Sequence, residues 1–266
     1  MITSVHNKSI KETAALLAKK KERDRRGLFV VEGVKLFGEA PAERIAQVYV
    51  AESARAQLMA QYGEKLKKLP CEIVSDEVFA KMSDTVTPQG ILCLVRQYSY
   101  NIEEMLSKGE KKRLLLIILE DLQDPGNLGT IFRTAEAAGA DGVIMSSKTA
   151  DLYNPKTIRS TMGSIYRVPF LYAESLFPVM ETLKEHGVRI FAAHLSGKAD
   201  YDAHDYREGT AFLIGNEGRG LKDETADYAD ERIRLPMEGQ VESLNAAVAS
   251  SVLLYEAYRQ RRNTPK

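Results

Sequence analysis

Leu114-Leu115-Leu116-Ile117-Ile118-Leu119, followed by Glu120-Asp121-Leu122-Gln123-Asp124-Pro125-Gly126-Asn127, is the stretch on which the fold turns. The aliphatic run leaves no polar side for a half-exposed strand, and it is far shorter than the ~20 residues of a membrane span. It fits a strand buried on both faces of a parallel sheet. The spacing then predicts a helix over Leu128–Ala138, with Leu128, Ile131, Phe132, Ala135 and Ala138 on one face and Gly139 at its C-terminal end. Gly142–Met145, Val188–Ala193, Ala211–Ile214 and Arg232–Leu235 read as further strands. A final helix is expected over Leu244–Arg261, with Leu244, Val248, Val252 and Tyr255 on its apolar face. Strands alternating with helices imply an α/β domain, a mainly parallel sheet with helices on both faces.

Working toward the N-terminus, residues 98–112 are polar and charged, end in Lys111-Lys112, and read as a linker with a helical turn or two. Residues 1–97 form a smaller α/β unit. Strands are expected at Leu28–Val31, Ile45–Val50, Glu72–Val74 and Ile91–Val95. Helices are expected at Ser9–Lys21, Val34–Ala40, Ala54–Tyr62 and Asp76–Met82, the last capped by Ser75 or Asp76. The division is therefore 1–97, linker 98–112, and 113–266.

Bulk composition narrows the class. The chain has 266 residues, 44% hydrophobic and 28% charged, ordinary for a soluble globular protein of about two domains. No apolar run is long enough to span a bilayer, and Met1–Ala14 lacks the apolar core of a secretory leader. Cys71 and Cys93 make neither a disulfide framework nor a zinc site, and the histidines at 6, 186, 194 and 204 lack metal or triad spacing. A cytoplasmic protein with no metal is expected. The net charge is zero, but Lys19, Lys20, Lys21, Arg23, Arg25 and Arg26 face only Glu22 and Asp24 in one short run. Such a stripe reads either as a solvated helix face or as a localised phosphate contact.

Three loops at strand ends carry unusual residues, and in open α/β sheets ligands bind beyond the carboxyl ends of strands. After the first strand, Pro125-Gly126 forces a turn and Asn127 suits a helix N-cap. Arg133 then stands off the apolar stripe, where its fork suits a phosphate. Alone, this loop reads equally as an ordinary cap with Arg133 paired to Glu136. The second loop, Ile214-Gly215-Asn216-Glu217-Gly218-Arg219-Gly220-Leu221, has glycines that permit positive φ and close backbone approach. It is neither the dinucleotide fingerprint nor a P-loop. The third, Leu235-Pro236-Met237-Glu238-Gly239-Gln240-Val241-Glu242-Ser243-Leu244-Asn245, enters the final helix. Ser243 or Glu242 suits its cap; Asn245 has no evident capping duty.

In order, the loops match N-x-G-x-I-x-R-T-A-x-x-x-G (Asn127 to Gly139), I-G-x-E-x-x-G-L (Ile214 to Leu221) and L-P-M-x-G-x-x-x-S-L-N-x-x-x-A (Leu235 to Ala249). Together they resemble the SpoU, or TrmH, family of RNA ribose 2′-O-methyltransferases over the whole second half. The basic run, Phe29-Val30-Val31-Glu32-Gly33 and Thr87-Pro88-Gln89-Gly90-Ile91 resemble the RNA substrate-binding domain that often precedes it. The resemblance implies S-adenosylmethionine as cofactor, a deep trefoil knot, RNA as substrate with ribosomal RNA ahead of transfer RNA, and a homodimer through the C-terminal domain with both subunits at each site. It places Asn127, Arg133, Glu217, Ser243 and Asn245 in the catalytic site. Ile214, Gly215, Asn216, Gly218, Leu235, Met237, Ser243 and Leu244 would hold the cofactor. Lys19, Lys20, Lys21, Arg23, Arg25, Arg26 and Arg133 would contact RNA. A guanidinium does not readily give up its proton, so Arg133 reads better as a phosphate and alkoxide binder than as a base, with Glu217 orienting it or accepting a proton through water. Two other readings remain: a base methyltransferase of the same knotted class, and a non-catalytic RNA-binding protein. The latter would be expected to have lost a polar site residue.

Overall fold

The computed structural model describes residues 1–108 and 113–262; the expected linker end at Lys111-Lys112 lies outside them. Along the chain the elements are α1 (Lys8–Ala18), α2 (Lys20–Arg26), β1 (Leu28–Glu32), α3 (Val34–Glu39), β2 (Ile45–Ala51), α4 (Arg55–Leu66), β3 (Cys71–Val74), α5 (Asp76–Met82) and β4 (Ile91–Arg96). They continue as α6 (Ile102–Lys108), β5 (Leu115–Leu119), α7 (Pro125–Ala137), β6 (Gly142–Ser146), α8 (Pro155–Thr161), β7 (Phe170–Ala173), α9 (Leu176–Glu185) and β8 (Arg189–Ala193). The last are β9 (Ala199–Asp200), β10 (Thr210–Ile214), α10 (Asp223–Tyr228), β11 (Glu231–Arg234) and α11 (Ala246–Arg262). The chain divides into one unit of Met1–Tyr98 with Asp151–Tyr166, and a second of Ser99–Ala150 with Arg167–Lys266.

In the first unit the sheet order is β1-β4-β2-β3, with β4 antiparallel to both neighbours and β2 parallel to β3. Val30, Tyr49, Val74 and Leu92 pack with Ile10 and Leu16 of α1 and with Val78, Phe79 and Met82 of α5. Cys93 is wholly buried in β4, and burial pushes its thiol up to about 12. Ser75 is the residue that caps α5. The helix expected over Ser9–Lys21 is broken at Lys19, whose backbone is extended, and α2 ends on left-handed Gly27. The break turns Arg23 inward. Its guanidinium donates to the Leu16 carbonyl (2.6 Å), closing the end of α1, and pairs with Asp151 at 2.5 Å. Asp151 lies in the stretch of the second half that joins this unit, where Tyr153 also stacks on Phe29 with ring centroids 4.6 Å apart.

The second unit holds a seven-stranded sheet, every pairing parallel, in the order β7-β6-β5-β10-β8-β11-β9. Every residue of β5 and β10 is buried, as two-faced burial demands. Alternate residues Leu116, Ile118, Ile144, Ile190 and Leu213 face α6, α9 and α10. The segment read as linker thus contributes core: Met105 and Leu106 of α6 are buried in that cluster. α7 and α11 pack together, with α7 also against β6 and α11 against β10.

Two expectations about these helices fail for identifiable reasons. α7 starts at Pro125, not Leu128, and its cap is Asp124, whose carboxylate accepts from the Asn127 backbone N–H at 2.7 Å. Proline at the first helical position has no N–H to lose there, so the Pro-Gly that read as loop is a helix start. In α11 the buried face is Ala246, Ala247, Ala249, Ser250, Leu253, Leu254 and Ala257, whereas Val248 and Tyr255 are each 48% exposed. Small residues let α11 approach α7 closely enough for Thr134 and Ser251 to share a hydroxyl hydrogen bond of 3.1 Å. Val248 and Tyr255 are left outside, while Leu253 and Leu254 are wholly buried.

Candidate functional site

Because every strand of the second sheet is parallel, the loops after β5, β8, β10 and β11 emerge at one edge. Two cavities lie there. One, of about 620 Å³, is lined by Ile214, Gly215, Asn216, Gly218, Leu235, Met237, Ser243 and Leu244. It is also lined by His194 and Leu195, which follow β8. These two lie outside the expected site; their only signal in the sequence is their place at a strand end. The second cavity, about 1380 Å³, shares Asn216, Glu217 and Gly218 with the first and adds Asn127 and Asn245.

The loop after β10 is bent back on itself. Asn216 and Gly220 exchange backbone hydrogen bonds at 3.0 and 2.9 Å. The Asn216 amide donates to the Asp121 carbonyl (2.8 Å) while its oxygen accepts from the N–H groups of Gly218 and Arg219, both at 3.0 Å. Only Gly220 among the loop's glycines needs positive φ (+70°). Gly215 is required for a different reason: a Cβ there would lie 2.2 Å from the Gly220 carbonyl carbon and 2.3 Å from the Leu221 nitrogen. The close approach is of loop to loop. It leaves backbone lining a cavity that falls within the ~300–1,000 Å³ usual for small-molecule sites.

A hydrogen-bonded relay joins the three loops. The Asn245 oxygen accepts from the N–H groups of Ala247 (2.9 Å) and Val248 (3.3 Å), so Asn245 caps α11 and the expected cap Ser243 does not. With that oxygen committed, the Asn245 amide donates to the Asn127 oxygen at 3.0 Å. The Asn127 amide donates to Glu217 Oε1 at 3.1 Å. Glu217 in turn accepts from the backbone N–H groups of Gln123 (2.9 Å) and Asp124 (2.8 Å). Desolvation pushes the Glu217 carboxyl up, but the bonds from Gln123, Asp124 and Asn127 outweigh it and hold it below its ordinary value. Glu217 is thus a charged brace for the loop after β5. Within its own chain Glu217 makes no contact with Arg133.

Asp121, also outside the expected site, stands at the larger cavity with positive φ (+55°). Ser146 donates to its carboxylate at 2.7 Å and Lys222 pairs with it at 3.2 Å. Desolvation raises its pKa, the bonds from Ser146 and Lys222 lower it, and the net direction is down.

Arg133 is exposed on α7 and lines neither cavity. It does not pair with Glu136, which is bound by Arg167 instead. In the basic run, Arg23 is buried and cannot reach a phosphate, a correction that follows from its pairing with Asp151. Arg26 is taken up by Glu12 (3.0 Å) and Glu22, and Arg25 by Glu22 at 2.6 Å. Lys19, Lys20, Lys21 and Arg25 are exposed. Among the described residues no group of three or more His, Cys, Asp or Glu could hold a metal ion, and no helix is long and apolar enough to cross a membrane.

Comparison with known proteins places this arrangement. Residues 114–255 match the model of the SpoU rRNA methylase family, and residues 7–93 match an MRM3-like substrate-binding domain. The chain is 33% identical over 256 residues to the 23S rRNA (guanosine(2553)-2′-O)-methyltransferase RlmP of Bacillus subtilis, covering 96% of this chain and 97% of that one. Among solved structures, the SpoU methyltransferase AviRb from Streptomyces viridochromogenes, in complex with S-adenosylmethionine, superposes with a TM-score of 0.88 at 26% identity, over 98% of this chain and 100% of that one. An S-adenosylmethionine-bound rRNA methyltransferase from Sinorhizobium meliloti gives 0.83 at 30% identity, over 97% of each chain. The three loop motifs, the cavity they enclose and these likenesses agree: the chain belongs to the SpoU rRNA methylase family, the S-adenosylmethionine-dependent RNA ribose 2′-O-methyltransferases.

Proposed function

We propose that this chain methylates a ribose 2′-hydroxyl of ribosomal RNA in the cytoplasm, as a homodimer. The observation that carries the reading is the relay Asn245–Asn127–Glu217, which ties all three motif loops together beside a nucleoside-sized cavity lined by the second and third of them. The residues fit S-adenosylmethionine: Ile214, Gly215, Leu235 and Leu244 offer backbone and apolar surface, with Asn216, Met237 and Ser243 beside them. Bound there, the cofactor supplies an electrophilic sulfonium methyl to the ribose oxygen. The protein's work is alignment and charge stabilisation. Asn127 and Asn245 hold the loops, and Ser243, free of the capping role, lines the cofactor cavity. Arg133 binds the phosphate beside the target ribose and stabilises the developing alkoxide. A ribose target, not a base, is supported by the Asn127-to-Arg133 motif and by the relatives' 2′-O chemistry. Incubation with labelled cofactor and ribosomal RNA, followed by nucleoside analysis, tests the reading: label in a 2′-O-methyl nucleoside upholds it, and label on a base overturns it.

A dimer is supported by what the single chain leaves unused. Val248 and Tyr255 are each 48% exposed on α11 and Tyr258 is 39% exposed, while Arg133 stands outside its own chain's two cavities. An α7–α11 face buried against a second copy would bring Arg133 to the partner's site. Tyr255→Asp is expected to convert dimer to monomer in sedimentation and to abolish methylation, leaving far-UV circular dichroism unchanged. A trefoil knot fits the tight crossing at Gly197, where a Cβ would lie 2.5 Å from the Ile233 carbonyl carbon.

The low-lying Glu217 carboxyl sets a pH expectation. A carboxylate held below its ordinary 4.5 in the folded protein contributes its bracing fully above that value and loses it as pH falls below. Cofactor affinity should stay flat between about pH 6 and 9 and drop only in acid below Glu217's ordinary range. Glu217→Gln should lower it across that flat range and converge with wild type in acid, where Glu217 is itself neutral, as calorimetric titration would show.

A further inference from the structure

Two sequence motifs of the first unit, Phe29-Val30-Val31-Glu32-Gly33 and Thr87-Pro88-Gln89-Gly90-Ile91, play no part in the methyl-transfer site, yet the fold joins them. Glu32 is buried, 8% exposed. Its carboxylate accepts from Ser83 Oγ (2.5 Å), the Asp84 N–H (3.0 Å) and Thr85 Oγ1 (2.6 Å). At the far end of the same loop the Gln89 oxygen accepts from the Val34 N–H at 2.8 Å. Asp84 is held from the side by Arg159 of α8 at 2.8 Å. Burying a carboxylate is costly unless something is gained by it, and an apolar residue would serve packing at least as well. What Glu32 secures is a loop of fixed shape.

That loop presents Val86, Thr87, Pro88 and Gln89 to solvent, with Val86 100% exposed. A loop anchored at both ends, with an apolar tip between them, has less freedom to lose when a partner arrives than an unanchored one. Two exposed lysines stand beside it: Lys81 precedes the loop on α5 and Lys35 follows the nitrogen that Gln89 holds, while Arg159 is paired with Asp84. Meanwhile the arginines of α2 are spent on Arg23–Asp151, Arg25–Glu22 and Arg26–Glu12.

We propose that the Glu32-clamped loop Ser83–Gln89 is the substrate-reading element of this unit, packing Val86 and Pro88 against an unpaired base of the target RNA while Lys35 and Lys81 contact the flanking phosphates. The inference rests on the RNA methyltransferase reading above. Sequence-specific RNA recognition targets unpaired, splayed bases, and the exposed Val86 side chain and Pro88 ring offer apolar surface to a base face, with phosphate contacts giving affinity and base contacts giving choice.

The test uses the full-length protein, protein-free large-subunit ribosomal RNA and S-adenosylmethionine. Val86→Asp is expected to raise the RNA Kd and KM at least about tenfold, with kcat and S-adenosylmethionine Kd within about twofold of wild type. Val86→Ser should weaken RNA binding about equally at low and high salt, whereas Lys81→Ala should flatten the salt dependence. Glu32→Gln, which unclamps the loop, should reproduce the Val86→Ser loss; should it fail to fold, the surface variants decide. RNA binding by Val86→Asp within about twofold of wild type overturns the inference. If wild-type protein leaves no label in a 2′-O-methyl nucleoside, the activity reading fails instead, and the two failures are separately visible.

Discussion

Arg133→Ala is expected to lower methyl transfer by about 10²–10³-fold while leaving S-adenosylmethionine affinity within about twofold of wild type. Arg133 is exposed and lines neither cavity, so its removal disturbs no packing and no cofactor contact. What is lost, on the role proposed for it, is a forked cation for the phosphate and the developing alkoxide. Arg133→Lys keeps the charge but not the fork and should recover only part of the rate. Isothermal titration with the cofactor and single-turnover kinetics on RNA separate the two quantities. A normal rate for the alanine variant would remove Arg133 from the mechanism.

The same variant tests where Arg133 acts. Gly215→Val should close the cofactor cavity, because its side chain would run into Gly220 and Leu221 backbone 2.2–2.5 Å away. Each variant alone is expected to be inactive. Refolded together in equal amounts, half of the proposed dimers would be mixed. If Arg133 serves the partner's site, each mixed dimer has one working site, and activity returns to about a quarter of wild type. If Arg133 serves its own chain, the mixture stays dead.

How much of this is legible in the residues alone depends on what each residue touches. The β5 run Leu114–Leu119 is legible because two-faced burial leaves a continuous apolar string. So are the loops after β10 and β11, since Gly, Pro and Asn at strand ends have few other uses. β7 is not, because only Phe170 and Ala173 of its four residues are buried; α9 does carry boundary residues, Ser175 before it and positive-φ Gly187 after it, but no motif loop draws the eye there. The inward turn of Arg23 is invisible in sequence: its partner Asp151 lies 128 positions away, and in a basic run an arginine reads as solvated. The α11 face reads backwards because large apolar residues suggest the inward side, whereas close helix approach selects small ones. Asn245 shows no capping signature in sequence, yet capping is half of what it does.

That double duty makes Asn245→Asp the sharpest test of the site's architecture. Aspartate caps a helix as well as asparagine does, so α11 should start normally and the fold should hold. The other half of the residue, however, must donate to Asn127, and a carboxylate cannot. Asn127 could turn its amide to face the new carboxylate, but its oxygen would then face Glu217, whose oxygens already accept from the Gln123 and Asp124 N–H groups. Both ends of the relay are thus fixed by backbone donors, and only two amides in one orientation satisfy the interior. Acceptor against acceptor must occur at one link or the other; the links are exposed, so water relieves much of the clash and the cost to the fold is under about 1 kcal/mol, but the loops lose the bond that positions them. Since the relay sets the loops around both cavities, kcat/KM should fall about 10–10²-fold with little change in thermal stability. Adding Glu217→Gln should not rescue it, because the new amide would point an N–H at the backbone donor of Gln123 or Asp124. Recovery in that double variant would show that the relay's polarity is not what the site depends on.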